Sequence, residues 1–176
     1  RDALGRITSV TESVLGSAPS TTSYTYDAAG RLDGVLAGAS AVTYGYDPNG
    51  NRTHVSGVPI ATYDAQDRLL TYAGATYTYT AGGDLRTKTD ASGTTTYTYD
   101  LQGNLKRVDL PGGDVLEYLV DAQSRRVARK LNGAFTHKWV YEDQLRPVAE
   151  LDGVGNLVSV FVYSTQNPGG APDAIL

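Results

Sequence analysis

Tyr24-Thr-Tyr-Asp-Ala-Ala-Gly-Arg-Leu32 decides the reading of this chain, because it returns as Tyr44-Gly-Tyr-Asp-Pro-Asn-Gly-Asn-Arg52 and as Tyr97-Thr-Tyr-Asp-Leu-Gln-Gly-Asn-Leu105. Anchored on its aspartate, the phrase recurs at Asp2, Asp27, Asp47, Asp64, Thr80, Asp100, Asp121 and Glu142, in steps of 16 to 25 residues. A period near twenty marks a small supersecondary unit that buries its apolar side only against its neighbours. Function therefore has to be sought in the array rather than in one unit.

The alternation in Tyr24-Thr25-Tyr26, Tyr77-Thr78-Tyr79 and Tyr97-Thr98-Tyr99 is a strand signal that sends both rings of a pair to one face. The Asp-x-x-Gly that follows has the chemistry of a type I turn: Asp accepts backbone N–H groups, Pro48 presets φ, and Gly takes the left-handed bulge position that joins antiparallel strands. Asp2 to Gly5, Asp27 to Gly30, Asp47 to Gly50 and Asp100 to Gly103 fit this template, and Thr80 to Gly83 keeps only the Gly. Asp67, Ser124 and Leu145 stand where the Gly is lost. Asp tolerates the left-handed region, Ser less so and Leu poorly, so the last turn is expected to differ. Between phrases lie further turn signals, among them Ala18-Pro19, Ala37-Gly38, Gly57-Val58-Pro59, Ala73-Gly74, Ser92-Gly93, Pro111-Gly112-Gly113, Asn132-Gly133 and Asp152-Gly-Val-Gly155. With roughly four residues in each turn, a unit leaves two strands of about six. The expected fold is all-β, with consecutive antiparallel hairpins in a curved or spiralling sheet. Residues 1–163 are read as one repeat domain and 164–176 as an irregular Pro/Gly-rich exit segment. Arg1 enters partway through a repeat, so the array is expected to extend upstream.

Thirteen Tyr against two Phe and one Trp suit a thin sheet, since the ring packs while the hydroxyl reaches a polar partner. The chain has no Cys, so stability must come from stacking, and its net charge of −4 argues against nucleic acid or an anionic membrane. The longest apolar stretch, Val158 to Tyr163, is strand-sized and interrupted by Ser159, so no membrane span is expected.

Repeated carboxylates do not read as catalytic. A glycosidase needs two carboxyl groups in unlike environments, whereas equivalent repeat positions give like ones. His54 and His137 lie in different units without Cys, favouring packing over metal binding. Asp47-Pro-Asn-Gly-Asn51 and Asp152-Gly-Val-Gly-Asn156 lack the terminal Glu of a calcium loop, and no Ser sits in a nucleophile elbow. The run Arg125-Arg126-Val-Ala-Arg129-Lys130 reads as a strand surface, with alternation placing Arg125 and Arg129 on one face and Arg126 and Lys130 on the other. No enzyme activity, cofactor or metal is expected. The residues assigned to the repeat motif are Tyr26, Asp27, Gly30, Arg31, Tyr46, Asp47, Gly50, Tyr63, Asp64, Tyr79, Gly83, Tyr99, Asp100, Gly103, Asp121 and Tyr141, with Arg31, Arg68, Arg125 and Arg146 as charge partners on the following strand.

These phrases resemble the YD repeat of the Rhs and teneurin superfamily, whose bacterial members include Rhs polymorphic toxins, wall-associated proteins and insecticidal toxin-complex components. Tyr26-Asp27-Ala-Ala-Gly30-Arg31-Leu32 is a full copy of the family phrase, while Tyr63-Asp64-Ala-Gln-Asp-Arg68-Leu69 departs at the Gly. Asp121 to Gly133 and Val140 to Gly153 resemble the segment approaching the Rhs core, and Asp47-Pro-Asn-Gly50 resembles part of the core motif but sits in repeat register as a turn. The resemblance implies a β-sheet spiralling into a shell around the parent's own C-terminal cargo, usually a toxin, in a secreted or cell-surface bacterial protein. The rival expectation is an extracellular adhesion or glycan-binding module using exposed Tyr rows. Other expected partners are neighbouring repeats and, through free strand edges, further copies of the chain.

Overall fold

The computed structural model describes residues 1–163, 172, 174 and 175. Every described strand is antiparallel to its hydrogen-bonded neighbour, and no described residue is helical. The chain is all-β. No helix is long and apolar enough to cross a membrane. It divides into two compact units, Arg1–Thr76 and Tyr77–Leu176.

In the first unit, β1 (Ser9–Glu12), β2 (Ser20–Tyr26), β3 (Leu32–Ala37), β4 (Ser40–Tyr46), β5 (Arg52–Val55) and β6 (Val58–Pro59) pair in chain order. Ile60 follows, its N–H donating to the Thr53 carbonyl and its own carbonyl accepting from Ala73, before β7 (Ala61–Tyr63) and β8 (Leu69–Tyr72). Strand β9 (Ala75–Tyr79) carries the chain across the division. The second unit continues with β10 (Leu85–Asp90), β11 (Gly93–Tyr99), β12 (Leu105–Asp109), β13 (Val115–Val120), β14 (Arg126–Leu131), β15 (Ala134–Tyr141), β16 (Pro147–Asp152) and β17 (Leu157–Val162), again in order. The expected exit segment lies outside the described residues except at Pro172 and at Ala174–Ile175, which form β18 and pair with Phe161 and Val162.

Neither unit has a conventional core. Among the described residues only Ala61, Ala75, Val108 and Ala128 are buried. Opposite residues of an antiparallel pair share a face, so the registers Tyr24↔Val35, Val35↔Val42 and Tyr44↔Val55 build one apolar face. The reverse face carries hydroxyls that pair across strands, as Thr62 with Thr71 at 2.7 Å and Thr89 with Thr94 at 2.8 Å.

Phrase turns are four-residue loops with a bulge. The opposite edge mixes two kinds: two-residue loops at Ser56-Gly57, Ala73-Gly74 and Asn132-Gly133, each with both residues at positive φ, and turns of phrase geometry at Leu110 to Asp114 and Asp152 to Asn156. Four residues per turn therefore overstates those three loops but holds at Pro111-Gly112-Gly113 and Asp152-Gly-Val-Gly155, and Val58–Pro59 belongs to a strand. A two-residue turn of this kind matches the right-handed twist of the strands it joins, which lets Ser56 and Ala73 hold a conformation their side chains disfavour.

Candidate functional site

The phrase turn is set by one aspartate. In Asp27 to Arg31 the Asp27 N–H donates to the Arg31 carbonyl at 2.8 Å and the Gly30 N–H to the Asp27 carbonyl at 2.9 Å, with Gly30 at φ +84°. Asp27 Oδ1 accepts the Arg31 N–H at 2.9 Å, and Oδ2 accepts Arg31 Nε at 2.7 Å. The Arg31 amide, with help from its guanidinium and against partial burial, holds the Asp27 carboxyl below its ordinary value. Asp121 sits below as well, chiefly through the Arg125 side chain, and at Asp64 the amide and guanidinium of Arg68 outweigh an opposing burial. Asp2 with Arg6 repeats the arrangement, while Asp47, Asp100 and Asp152 use Asn51, Asn104 and Asn156 in place of Arg. Gly50, Gly83 and Gly103 all have positive φ, as do the replacements Asp67 and Ser124.

Successive turns are locked together at most of the phrases. The Arg31 guanidinium lies 4.5 Å from the centre of the Tyr46 ring and donates from Nη1 to the Asp47 carbonyl at 3.2 Å. Tyr46 in turn donates its hydroxyl to the Leu32 carbonyl at 2.6 Å, one residue beyond that arginine. Arg6 with Tyr26, Arg125 with Tyr141 and Arg146 with Tyr163 are stacked likewise at 4.4, 5.2 and 5.8 Å, and those hydroxyls reach Ile7, Arg126 and Pro147. Asn51 reaches Asp67 and Asn104 reaches Ser124, while Tyr63 bonds the Arg52 carbonyl at 3.2 Å. Repetition thus produces a column of alternating carboxylate, guanidinium and aromatic ring along one edge within each unit.

A family model described as the teneurin YD-shell matches residues 1–168. The chain belongs to that family. No curated protein matches it. Among solved structures, a TcdB2-TccC3-TEV crystal structure is similar at 12% identity and TM-score 0.44, with 89% of this chain and 12% of that one covered. TcdB2-TccC3 without its hypervariable C-terminal region is similar at 15% identity and TM-score 0.41, covering 78% and 7%. A Tc holotoxin pore of Photorhabdus luminescens gives 17% identity and TM-score 0.40, covering 76% and 7%. This YD-shell segment therefore spans only 7 to 12% of the chains it matches.

Tyr26, Asp27, Arg31, Tyr46, Asp47, Asp121 and Tyr141 lie in this column, whereas among the described residues Tyr99 has no arginine over its ring, and several members of the column carry no repeated signal. The last phrase shifts by one residue: Asp143 replaces Glu142 as acceptor, taking the Leu145 and Arg146 amides at 2.9 Å and Arg146 Nε at 2.7 Å. Leu145 is not at positive φ, so this turn does differ as a bulky residue there requires. Asp143 is lowered to about 2, led by the Leu145 amide. Asp152-Gly-Val-Gly155 adopts the full phrase geometry although no Tyr precedes it. The alternation assigned to the basic run is corrected. The register jumps from Leu119↔Ala128 to Val120↔Arg126, so Val127 is an extra residue that puts Arg126 and Arg129 on one face, with Arg126 4.0 Å from the Tyr118 ring. His137 stacks on Trp139 at 5.9 Å and accepts Arg129 Nη2 at Nδ1, 2.7 Å away, while His54 contacts the Thr53 hydroxyl at 2.9 Å. No group of three His, Cys, Asp or Glu among the described residues is placed to hold a metal.

Proposed function

We propose that this segment is a non-catalytic piece of wall in an Rhs-type shell that encloses the C-terminal cargo of its secreted bacterial parent. The observation that carries this reading is how the phrase tyrosines are used. Tyr26, Tyr46 and Tyr141 each give their hydroxyl to a main-chain oxygen and lie against a guanidinium of the preceding phrase. A glycan-binding or adhesive array needs free aromatic platforms, and these rings are committed to holding one repeat against the next. The phrase carboxylates are committed in the same way, each accepting amides and a side chain of its own turn, which suits them to structure rather than to proton transfer.

The test uses the full-length parent. Limited proteolysis followed by mass spectrometry should find the C-terminal domain resistant while the shell is intact and digestible once mild denaturant opens it. Equal cleavage rates in both conditions would mean that nothing is enclosed, and the adhesion reading would take its place.

A further inference from the structure

One phrase inverts the chemistry of its neighbours. Where the others begin with an acid and end with Arg or Asn, the fifth begins with Thr80 and ends with Asp84. Its backbone is unchanged: Thr80 N–H donates to the Asp84 carbonyl at 2.8 Å and Gly83 N–H to the Thr80 carbonyl at 3.0 Å, with Gly83 at φ +95°. The Thr80 hydroxyl takes over the carboxylate's task, accepting the Asp84 N–H at 3.1 Å and donating to Asp84 Oδ2 at 3.3 Å. A negative charge consequently stands where Arg31 and Arg125 present a positive one to the next phrase.

The next phrase differs to match. Tyr26, Tyr46, Tyr141 and Tyr163 each lie against an arginine and donate to a carbonyl, but among the described residues the Tyr99 ring has no cation over it and its hydroxyl has no protein partner. No Lys or Arg among the described residues forms an ion pair with Asp84, and Lys88 is held by Asp90 at 2.7 Å. Partial burial, and after it the Asp84 charge, push the Tyr99 phenol up. The Asp100 carbonyl receives the Gly103 N–H at 3.1 Å and retains a lone pair, as does the Asp47 carbonyl that accepts Arg31.

We propose that this position binds an arginine side chain of another polypeptide, its guanidinium bridging the Asp84 carboxylate and the Asp100 carbonyl while stacking on Tyr99. The array itself identifies the ligand. Arg31 fills the corresponding space between Tyr46 and the Asp47 carbonyl with the chain's own guanidinium, and here the arginine is absent while the ring and carbonyl remain and an anion has been added. A planar guanidinium both stacks and forks its hydrogen bonds, so it fits better than the compact ammonium of lysine. The inference does not depend on the shell reading.

The test is a titration of the isotope-labelled 176-residue chain with N-acetyl-arginine methylamide, followed by NMR at Gly83, Asp84 and Tyr99, with the lysine and norleucine analogues at matched ionic strength. Arginine should give saturable shifts at these residues, bind about fivefold tighter than lysine, and weaken at least about fivefold in Asp84→Asn, which keeps an acceptor for Thr80. The double change Thr80→Asp, Asp84→Arg should also block binding by supplying the missing guanidinium. Shifts linear in ligand, equal responses to lysine and arginine, or unchanged affinity in Asp84→Asn would overturn the proposal, and the single variant decides if the double one does not fold.

Discussion

The contact between Arg31 and Tyr46 is the joint on which the array reading can be tested most directly. Arg31→Met keeps an apolar stem over the ring but removes the 4.5 Å stacking of charge on the aromatic face and the bond to the Asp47 carbonyl. At a half-exposed site the stacking is worth about 0.5–1 kcal/mol, and the bond to the next turn adds about 1 kcal/mol after screening. Tyr46→Leu removes the ring and the 2.6 Å hydroxyl bond to Leu32 together. In a double-mutant cycle by urea unfolding, the two changes should therefore fall short of additivity by about 0.5–1 kcal/mol. Pairing Arg31→Met with Tyr63→Leu should be additive, since these residues share no partner. Hydrogen exchange gives an independent readout. Arg31→Met strips its own turn of the Nε bond to Asp27 Oδ2 and the next turn of the donor to the Asp47 carbonyl, so the Gly50 amide should lose protection together with the Gly30 amide. Additivity within about 0.3 kcal/mol, with the Gly50 amide as protected as in the unsubstituted chain, would mean that guanidinium and ring are merely adjacent.

Gly103→Ala should cost about 1–2 kcal/mol, from φ +82° alone, because a Cβ there meets nothing. Gly153→Ala should cost at least as much, at about 1–3 kcal/mol, for a different reason: its Cβ would run into the Phe135 carbonyl on the neighbouring strand. Thermal unfolding checks both, and a neutral Gly153→Ala would refute the close strand approach. Acid should unfold the chain in a defined window. Asp27, Asp64, Asp121 and Asp143 are lowered in the folded state, so the stability they add is present above the unfolded carboxyl value of about 3.9 and is lost as pH falls through the folded values. For Asp143 that loss extends down to about 2. The urea midpoint should drop across this range, and a midpoint indifferent to acid would contradict the turn assignment. Melting temperature should be the same in chelator as in millimolar calcium or zinc, and a rise of several degrees with either ion would reveal a site.

Much of this was legible in the sequence because the repeat states its own chemistry. Asp27, Gly30 and Arg31 are the residue types that a type I turn with a bulge and a local ion pair demand, and the Tyr-Thr-Tyr alternation fixed the faces of β2, β9 and β11. What escaped has no residue-type signature. The acceptor of the Tyr46 hydroxyl is a main-chain oxygen, which every residue owns. The extra residue at Val127 looks like any other strand valine, yet it moves Arg126 to the face of Arg129. Two-residue turns at Ser56 and Ala73 require positive φ from side chains that seldom adopt it, so only the pairing of the strands on either side reveals them. At Asp143 two adjacent acids competed for one role, and the fold chose the residue that propensity could not single out.

A wall without a core must be held by the joints between its repeats. With four small or medium side chains buried among the described residues, burial cannot offset the backbone entropy of a chain this long. Sheet hydrogen bonds align the strands but contribute little net free energy each, because water satisfies the same groups in the unfolded chain. The phrase adds what the ladder lacks: apolar ring area placed on the next strand, a charge that stacks on it, and a hydroxyl that returns to the preceding repeat. These contacts run only between neighbours, so each repeat depends on the one before it, and stability scales with the number of joints rather than with enclosed volume. That is the energetic form a thin wall requires, since it can be lengthened without building an interior. It also explains why a phrase can lose one element, as at Asn104 where Val120 replaces the following tyrosine, and still hold: the remaining bond from Asn104 to Ser124 carries the joint. The Thr80 phrase keeps its turn and gives up its arginine, which leaves the joint between Asp84 and Tyr99 as the place where a second chain can supply the missing contact.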